Sequence, residues 1–345
     1  MNAVLVTHVD LLRDAALAPA HPALDRDFMT ARLRRVLTDA AMGGVPAAQV
    51  DIGAINILRH KPGRRCLIEY QLFAWISGQR RLVASVLGKV RAKGVDKRSF
   101  KAQQRLWQGA FSDAAADGIH VPQPLVMLPE VHLWLQCRVR GAPAGQHLLE
   151  SNGAAVAGQV AEACFKLQRE GPVSSRVHAA GDELTVLATQ LDAVAAVHPS
   201  WSGRLRRILR YSEELAKSLP DAAARPCHRD FHPDNVVVDG SRLNLVDLDL
   251  YCMADPALDM GNFIAHVTEF ALRRRGSAEA LVSIESALAE AFLRRAGEAH
   301  RHALEVYTML ALARHIAISN RISERRRWTP DLLRLCEHRL SRMAS

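Results

Sequence analysis

The stretch HRDFHPDNVVVDGSRLNLVDLD, which runs from His228 to Asp249, decides the fold of the second half of the chain. Two short apolar runs, VVV and LNLV, flank an Asp-Gly pair, and this arrangement is a strong local signal for a β-hairpin. A turn over residues 239–242 would place Val238 opposite Leu243. Polar residues lie before the first run and after the second, so the hairpin returns them to one end.

The open end of this hairpin gathers oxygen-bearing side chains. Asn235 would lie opposite Val246, next to Asp247, and Asp230 lies on the loop that leads into the first strand. Cross-strand neighbours have Cβ atoms roughly 5 Å apart, so two carboxylates and an amide oxygen converge there. Such hard oxygen ligands suit Mg²⁺, which completes its coordination shell with water and phosphate oxygens. Asp230, Asn235 and Asp247 together therefore form a candidate Mg²⁺ site, and the chemistry indicated is phosphoryl transfer.

Two simpler interpretations compete with this one. Aspartate and asparagine are common at turns and strand ends, and any one of these residues alone would indicate only loop structure. His228 and His232, with Asp230 and Asp234, could instead form the zinc site of a metallohydrolase. A His-x₃-His pair binds one metal most readily from a helix, however, and Pro233 and the Asp/Asn composition disfavour a helix here. We expect His228 to brace the loop by hydrogen bonds and His232 to line the site.

Composition restricts the classes of protein to consider. The 345 residues suggest about two domains, and a hydrophobic fraction of 49% is ordinary for a globular chain. The net charge of +9 comes from arginine-rich segments in helix-like context. With 5% aromatic residues and no recognisable binding module, nucleic-acid binding is not predicted. A basic surface that attracts anionic substrates such as ATP is the simpler explanation.

The sequence also predicts a cytoplasmic location. The start of the chain lacks a basic region, and its apolar run is broken by His and Asp, which argues against a secretory signal. The six cysteines are scattered without a CxxC pair, as is typical of free thiols in a reducing compartment. No apolar run approaches the roughly 18 residues of a membrane span, so no membrane partner is predicted. The oligomeric state is left open.

The pattern along the chain predicts three parts. Residues 1–45 read as a helical extension, within which DRDFMTARLRRVLTDAA is amphipathic. Residues 46–136 carry strand signals such as INILRH, CLIEYQLFAWI and RLVASVLGKV, with a single helix capped by Asp96. Residues 137–345 are mostly helical, and the hairpin is the one clear β interruption. A small β-rich lobe therefore precedes a larger helical lobe, and the cleft between them is the expected ligand site.

The β-rich lobe contains candidate phosphate contacts. In the turn KPGRR, Gly63 would let the backbone approach a phosphate closely, and Arg64 adds positive charge. A plain hairpin turn with solvated arginines is the competing interpretation. Lys89 ends the third strand and could pair with the α- and β-phosphates of a nucleotide. Lys93 and Lys97 are alternatives for that role.

The motif CHRDFHPDNVVVDG, followed by LNLVDLDLYCMADPALDMGNF, resembles the catalytic core of the aminoglycoside phosphotransferase and choline kinase-like family. LRHKPGRRCLIEYQL and LGKV fall in the expected order upstream, so the resemblance spans about residues 50–320. It implies an α+β fold of the bilobal protein-kinase-like type, with a small β-rich lobe carrying one helix and a larger, mostly helical lobe.

The resemblance also implies roles for particular residues. Asp230 would be the catalytic base that orients and deprotonates the acceptor hydroxyl, and Asn235 and Asp247 would hold Mg²⁺ on the ATP phosphates. Lys89 would hold the α- and β-phosphates, and the segment around Gly63 would cover the triphosphate.

Further roles implied by the resemblance concern the adenine and the larger lobe. The strand Gln136, Cys137, Arg138 would be the hinge that hydrogen-bonds adenine through its backbone, and Asp259 would be a structural brace. The chain departs from the family in two places. The helix SFKAQQRLWQ has no acid to pair with Lys89, so Gln103, Gln104 or Asp96 would have to substitute, and Arg229 stands where the family often has Gly.

The sequence limits the acceptor without identifying it. ADPALD follows Asp247 within about ten residues, which leaves little room for the peptide platform of a protein kinase and favours a small-molecule acceptor. From residue 260 onward there are 14 Lys+Arg against 9 Asp+Glu. Since aminoglycosides are polycationic, this excess of positive charge favours a neutral or anionic alcohol or sugar as the acceptor.

The main hypothesis is therefore an ATP- and Mg²⁺-dependent kinase that phosphorylates a hydroxyl of a metabolite, sugar or antibiotic. The alternative is a nucleotide-binding pseudokinase or regulatory protein without phosphotransfer, and the missing helix acid motivates it. Both would bind the nucleotide, so only turnover discriminates between them. Preference for ATP over GTP is not decided by the sequence.

Overall fold

The computed structural model describes residues 8–38 and 44–343. By contact density the chain divides into two compact units. The first unit comprises Met1–Ala114 and His120–Val139, and the second comprises Ala115–Ile119 and Arg140–Ser345. The boundaries drawn from the sequence at residues 45 and 136 stay a prediction.

An antiparallel sheet of five strands forms the centre of the first unit, with strand order β1-β2-β3-β6-β5. Its strands are β1 (Asp51–Lys61), β2 (Arg65–Ile76), β3 (Gln79–Arg91), β5 (Pro124–Leu128) and β6 (Leu133–Cys137). The short β4 (Ile119–His120) precedes β5 in the chain and belongs to a different sheet. The helices are α1 (His8–Leu12), α2 (Arg26–Val36) and α3 (Lys97–Gln108), with a 3₁₀ helix at Ala15–Leu24. The predicted strands and the single helix after them are therefore present.

The amino-terminal segment packs on one face of this sheet. Leu11, Met29 and Leu33 belong to the same buried cluster as Ile68 on β2 and Val86 on β3. This burial of apolar surface is the main favourable contribution to the fold of the unit. Among the candidate nucleotide residues, Lys89 lies on β3, three positions after Val86 and therefore on the opposite face of the sheet.

The helical extension predicted for residues 1–45 consists of several helices in its described part. The segment is divided into α1, a 3₁₀ helix with Pro19 and Pro22 inside it, and α2. Proline lacks the N–H needed to continue an α-helix, which accounts for the division. α2 ends at Val36, and the rest of the amphipathic stretch falls partly on residues 39–43, outside the described part of the chain.

Helices dominate the second unit. They are α4 (Ala144–His147), α5 (Gly153–Glu170), α6 (Ala180–Val197), α7 (Ser202–Lys217), α8 (Ala257–Arg275), α9 (Val282–Ala296), α10 (Arg301–Arg321) and α11 (Thr329–Met343). Within the described part of the chain, none of the helices combines the length and apolar character that crossing a bilayer requires.

The expectation that the hairpin is the one β interruption of this part was wrong. Besides β10 (Val236–Asp239) and β11 (Arg242–Leu245), the unit contains β7 (Ala142–Pro143), β8 (Val177–His178), β9 (Arg225–Cys227) and β12 (Cys252–Ala254). The sheets have the orders β4-β11-β10-β7 and β8-β12-β9. Strands of two or three residues are too short to show an alternating pattern in the sequence.

The predicted hairpin is confirmed in its register. Val238 pairs with Leu243, and Val236 pairs with Leu245. Gly240 in the turn has φ of 59°, a conformation that glycine adopts at low cost. The Asp-Gly signal and the two apolar runs were therefore sufficient to set the pairing.

Candidate active site

The loop before β10 and the strand end after β11 bring the predicted catalytic residues together. The side-chain nitrogen of Asn235 donates to the backbone oxygen of Asp230 at 2.9 Å and to its carboxylate oxygen Oδ2 at 3.3 Å. The N–H of Val246 donates to the backbone oxygen of Asn235 at 3.0 Å, as the hairpin register requires. Asp247 follows directly in the chain, so all three candidates lie at the open end of the hairpin.

The Asn235 amide is oriented for a cation. Both of its side-chain hydrogen bonds are made by the nitrogen, and within residues 8–38 and 44–343 no group donates to its oxygen Oδ1. The residue is 8% exposed, and Oδ1 is not among the fully buried side-chain atoms without a partner, so this oxygen can be reached from solvent. An amide oxygen beside a carboxylate is a donor set that fits Mg²⁺. The roles of Asn235 and Asp247 as metal ligands stay a prediction.

Asp247 itself has an unusual backbone. Its φ of 64° and ψ of 52° place it in the left-handed region, which costs a residue with a Cβ about 1–2 kcal/mol. Such conformations persist only where the surrounding structure holds them, and they concentrate at functional sites. The half-buried carboxylate of Asp247 thus lies just after the end of β11.

Arg229 shares this left-handed conformation, with φ of 67°. The conformation explains why a small residue such as Gly is common here among the proteins that the sequence resembles, since Gly adopts it without strain. The Arg229 side chain is largely buried and its Nε lies 3.7 Å from an oxygen of Glu183. At this position the ionic contact of Arg229 with Glu183 therefore offsets the strain of its left-handed backbone.

The start of α8 braces the catalytic loop. Asp259 is fully buried and accepts hydrogen bonds from the backbone N–H groups of His228 at 2.6 Å and Arg229 at 2.7 Å. Burial raises the pKa of Asp259, although His228 and these two bonds act in the opposite direction. One turn further along, Asn262 donates to the backbone oxygen of Phe231 at 2.8 Å. The predicted brace thus fixes the loop on which Asp230 lies.

His228 adds a second brace, as the sequence predicted. Its ring nitrogen Nε2 lies 2.9 Å from the backbone oxygen of Val246, next to Asp247. This bond ties the catalytic loop to the strand that carries the second candidate metal ligand. His232, the other histidine of the motif, lies with Nε2 3.8 Å from Asp230 Oδ2. Within the described residues no group of three or more His, Cys, Asp or Glu side chains is placed to hold a metal ion.

On the first unit, Lys89 lies on the sheet face away from the amino-terminal segment. Lys89 pairs across the sheet with Leu67 and Trp134, and its Nζ lies 5.1 Å from the centroid of the Trp134 ring. Gln103 does not replace the missing helix acid, because its amide donates to the backbone oxygen of Pro122 and to Gln136. Asp96 caps α3 by accepting hydrogen bonds from Ser99, as predicted, and also pairs with Arg91.

A buried carboxylate that sequence reasoning missed lies on the same face. Glu69 on β2 is 3% exposed. Across the sheet it pairs with Leu87 on β3, which in turn pairs with Gln136 on β6. It bonds to Asn56 and forms an ion pair with Arg138, and these partners outweigh burial and lower its pKa. A single charge within the apolar run CLIEYQL was the available signal.

The predicted hinge is already hydrogen-bonded at two of its N–H groups. Cys137 donates to the backbone oxygen of Gln123, and Arg138 donates to that of Ser85, each at 2.9 Å. Gln136 is buried and bonded to Gln103. Contact with adenine through the N–H groups of Cys137 and Arg138 is therefore not supported by this geometry, and the adenine role of the segment stays a prediction.

The turn that contains Gly63 has a carboxylate as its partner. Gly63 has φ of 68°, and its N–H donates to Asp14 Oδ2 at 2.8 Å. The same oxygen lies 2.8 Å from His60 Nε2. The bond from Gly63 is the main reason that the pKa of Asp14 is lowered. The Arg64 side chain is exposed. The Gly63 N–H is therefore already bonded to a carboxylate oxygen, and the role of the turn with a triphosphate stays a prediction.

Comparison with known proteins identifies the family. The model of the phosphotransferase enzyme family matches residues 89–307, which is more than half of the chain. The chain belongs to this phosphotransferase family. The match begins at Lys89, so the strands before it, which the sequence resemblance included, lie outside the match. The search of curated proteins finds no match.

Solved structures share the fold of this phosphotransferase. A choline/ethanolamine kinase family protein from Mesorhizobium loti is 16% identical, with a TM-score of 0.56 over 91% of this chain and 94% of that chain. Choline kinase from Cryptosporidium parvum is 10% identical, with a TM-score of 0.59 over 92% and 96%. Aminoglycoside phosphotransferase APH(4)-Ia, in a complex with ADP and hygromycin B, is 15% identical, with a TM-score of 0.55 over 84% and 94%.

These findings confirm three of the predictions. The family resemblance, the α+β protein-kinase-like fold and the assignment as a phosphotransferase all hold. At identities this low, the solved structures establish the fold and leave the acceptor open.

A buried ionic network of the phosphotransferase contacts the predicted catalytic loop through Asn262. Glu183 on α6 lies 2.6 Å from His178 Nε2 and 3.0 Å from Arg314 Nη1 on α10. Arg314 also donates to Asn262, which holds Phe231 in the loop. Burial alone would raise the pKa of Glu183, but the neighbouring cations outweigh it and lower that pKa. Sequence reasoning missed Glu183 and Arg314, which are 131 positions apart.

Glu183→Gln is expected to lower the free energy of unfolding by about 3 kcal/mol at neutral pH, because Arg314 would lose its buried ionic partner. Since the pKa of Glu183 is lowered in the folded state, its stabilising effect is present above its unfolded pKa and is lost as pH falls through the folded pKa. Urea unfolding at neutral and acidic pH measures this difference.

A matched control for Glu183→Gln is Glu214→Gln, which breaks the exposed pair with Lys217. Exposed pairs contribute about 0–1 kcal/mol, so little change is expected. An equal loss of stability in the two variants would contradict the structural role assigned to Glu183.

Proposed function

We propose that this phosphotransferase moves the γ-phosphoryl group of ATP to a hydroxyl of a small molecule. The observation that carries the proposal is the convergence of Asp230, Asn235 and Asp247 at the open end of the β10–β11 hairpin. Structures with the same fold hold ADP or AMP-PNP, which supports ATP as the donor. Structures with this fold also hold hygromycin B or spectinomycin, which supports a small-molecule acceptor.

In this proposal Asp230 acts on the acceptor. Its half-exposed carboxylate accepts the hydroxyl proton while the acceptor oxygen forms a bond to the γ-phosphorus, and the bond from that phosphorus to the bridging oxygen breaks to release ADP. A positioned acid–base group of this kind contributes about 10²–10⁴-fold in rate. The Asn235 amide keeps Asp230 in place, since it bonds both the backbone and the carboxylate of that residue.

Asn235 and Asp247 would hold Mg²⁺, and Lys89 would contact the α- and β-phosphates. When bound, the metal neutralises charge on the phosphates. The Asn235 oxygen, which accepts no hydrogen bond from the described residues, and the neighbouring carboxylate provide hard oxygen ligands for it. Catalysis would then consist mostly of positioning and charge neutralisation.

A small acceptor fits the short segment after Asp247. α8 begins at Ala257, and the residues between contain only a 3₁₀ turn and β12. A docked peptide needs a longer segment at this place. We also assign the enzyme to the cytoplasm, because all six cysteines are free.

The experiment that tests the nucleotide site is a thermal shift with ATP, ATP plus Mg²⁺, and GTP. A ligand that binds only the folded protein raises the apparent melting temperature. We expect a rise that requires Mg²⁺ and is lost in Asp247→Ala. The matched control is Asp239→Ala, an exposed carboxylate at the turn end of the same hairpin, which should respond like the wild type. Absence of any nucleotide-dependent rise in the wild type would refute the proposed function.

The alternative of a nucleotide-binding protein without transfer has one supporting observation. The sequence of α3 contains neither Asp nor Glu, and the Gln103 amide is bonded to Pro122 and Gln136. Such a protein would show the Mg²⁺-dependent thermal shift but would leave every acceptor unphosphorylated. Turnover therefore separates the two candidates.

A further inference from the structure

A cavity of 390 Å³ within the second unit lies beside the catalytic loop. Its walls come from the loop residues His232 and Asp234, from α8, and from Arg325 before α11. The volume lies in the usual range for small-molecule sites, about 300–1,000 Å³. The cavity can therefore hold a metabolite-sized molecule.

The side chain of His232 connects this cavity with the proposed catalytic carboxylate. His232 lines the cavity, and its Nε2 lies 3.8 Å from Asp230 Oδ2. The His232 ring also stacks on the ring of His266, which lies on α8, with centroids 4.6 Å apart. A molecule in the cavity would thus extend past His232 to present a hydroxyl to Asp230.

Arginine dominates the charge of the walls. Arg273, Arg274 and Arg325 face two carboxylates, those of Glu269 and Asp234. Glu269 is 3% exposed and is shared between Arg273 at 3.0 Å and Arg325 at 3.9 Å. The single negative charge of Glu269 therefore neutralises only part of the positive charge of Arg273 and Arg325.

Arg274 is the cation most available to a ligand. Its guanidinium lies 5.6 Å from the centroid of the Phe270 ring, and no described carboxylate forms an ion pair with it. The side chain is exposed and lines the cavity. Arginine presents a rigid fork of donors that matches the geometry of carboxylates and phosphates.

Two stacked histidine rings, those of His232 and His266, line the cavity on the side of the catalytic loop. Burial lowers the pKa values of His232 and His266, and for His266 the neighbouring His315, Arg314 and Arg325 act in the same direction. The carboxylates of Asp230, Asp234 and Asp247 act in the opposite direction on His232. The ring nitrogens of both residues can exchange hydrogen bonds with a polar ligand.

We propose that this cavity, here called the arginine pocket, binds the acceptor and selects one that carries an anionic oxygen group beside its hydroxyl. The inference rests on the proposed function, since the hydroxyl must face Asp230. A carboxylate or a phosphate ester would bind Arg274 and Arg325, while the rings of His232 and His266 line the path to the catalytic loop. Cationic acceptors would meet arginine at short range and would be disfavoured.

Equilibrium binding of three small probes tests this inference. The probes are D-glycerate, which carries a carboxylate and hydroxyls, inorganic phosphate, and ethanolamine, which is cationic. Each is titrated into the full chain at constant ionic strength, and binding is followed by calorimetry and by the NMR signals of the histidine rings. We expect saturable binding of D-glycerate or phosphate, with a shift of the His232 and His266 signals, and none for ethanolamine. Binding of D-glycerate alone would identify a carboxylate site, and binding of phosphate alone a phosphate-ester site.

Arg274→Gln should weaken the binding of the anionic probe about tenfold, which corresponds to the loss of one charge-assisted contact. The matched control is Arg275→Gln, because Arg275 is the exposed next residue of the same helix and does not line the cavity. Equal affinities in Arg274→Gln and the wild type, tighter binding of ethanolamine, or no saturable binding of either anion would overturn the inference. Phosphate bound at a nucleotide site instead would be insensitive to Arg274→Gln and would count against it.

The result is separable from the fate of the proposed function. The Mg²⁺-dependent thermal shift with ATP is measured on the same samples. If that shift is present and anion binding is absent, only the arginine pocket is refuted. If the shift is absent and the anion binds with the expected dependence on Arg274, the kinase is refuted while an anion site stands.

Discussion

Replacing Asp230 with asparagine is expected to lower kcat by about 10³-fold, while the KM for ATP changes little. Asparagine has the same shape but cannot accept the proton of the acceptor hydroxyl. The bond from Asn235 to the backbone oxygen of residue 230, 2.9 Å long, does not depend on the carboxylate. The loop should therefore keep its conformation, and the loss should fall on the chemical step. The loss of kcat is measured from steady-state rates of ADP formation, with an acceptor that the wild type phosphorylates.

Two further measurements make the Asp230→Asn result specific. The melting temperature of the variant should stay close to that of the wild type, and its Mg²⁺-dependent shift with ATP should persist. Asp239→Asn, at the exposed turn of the hairpin, should keep the wild-type rate. Turnover by Asp230→Asn at the wild-type rate would remove Asp230 from the mechanism.

Asp259→Ala is expected to lower the free energy of unfolding by about 3 kcal/mol and to reduce activity with it. The buried N–H groups of His228 and Arg229 would both lose their acceptor, and each unsatisfied group costs about 1–3 kcal/mol. The expected total is at the low end of the sum, because burial already disfavours the charged carboxylate, as its raised pKa indicates. Urea unfolding followed by circular dichroism measures the loss.

Asp259→Asn keeps one side-chain oxygen and serves as the conservative comparison. It should satisfy one of the two N–H groups and lose an intermediate amount of stability. If Asp259→Ala does not fold, this variant still provides the test. A change below about 0.5 kcal/mol in both variants, the range of ordinary surface substitutions, would contradict the role of Asp259 as a brace of the catalytic loop.

Local patterns account for the parts of the molecule that the sequence predicted well. The Asp-Gly turn and the flanking apolar runs determine the register of β10 and β11, because a shift by one residue would turn the buried side chains to the other face. Asp96 before an amphipathic run predicts the start of α3, since its side chain satisfies an N–H that has no partner inside the helix. Each of these signals is complete within about twenty residues.

Contacts between distant segments account for what the sequence did not predict. Nothing near Glu183 indicates that Arg314 will be its partner, because the pairing depends on how α6 and α10 pack. Likewise, the turn at Gly63 reads as an open phosphate loop until Asp14 is seen to accept its N–H. The arginine pocket has the same origin, since His232, Arg274 and Arg325 are brought together only by the fold.

The most direct test of the central claim follows the phosphoryl group itself. The wild type and Asp230→Asn are incubated with Mg²⁺ and ATP labelled at the γ-phosphate, together with a mixture of small hydroxylated compounds that includes D-glycerate, and the products are separated by size and charge. We expect the label on a small molecule with the wild type and its near absence with Asp230→Asn. Label that stays in ATP, or appears only on protein, would contradict a small-molecule kinase.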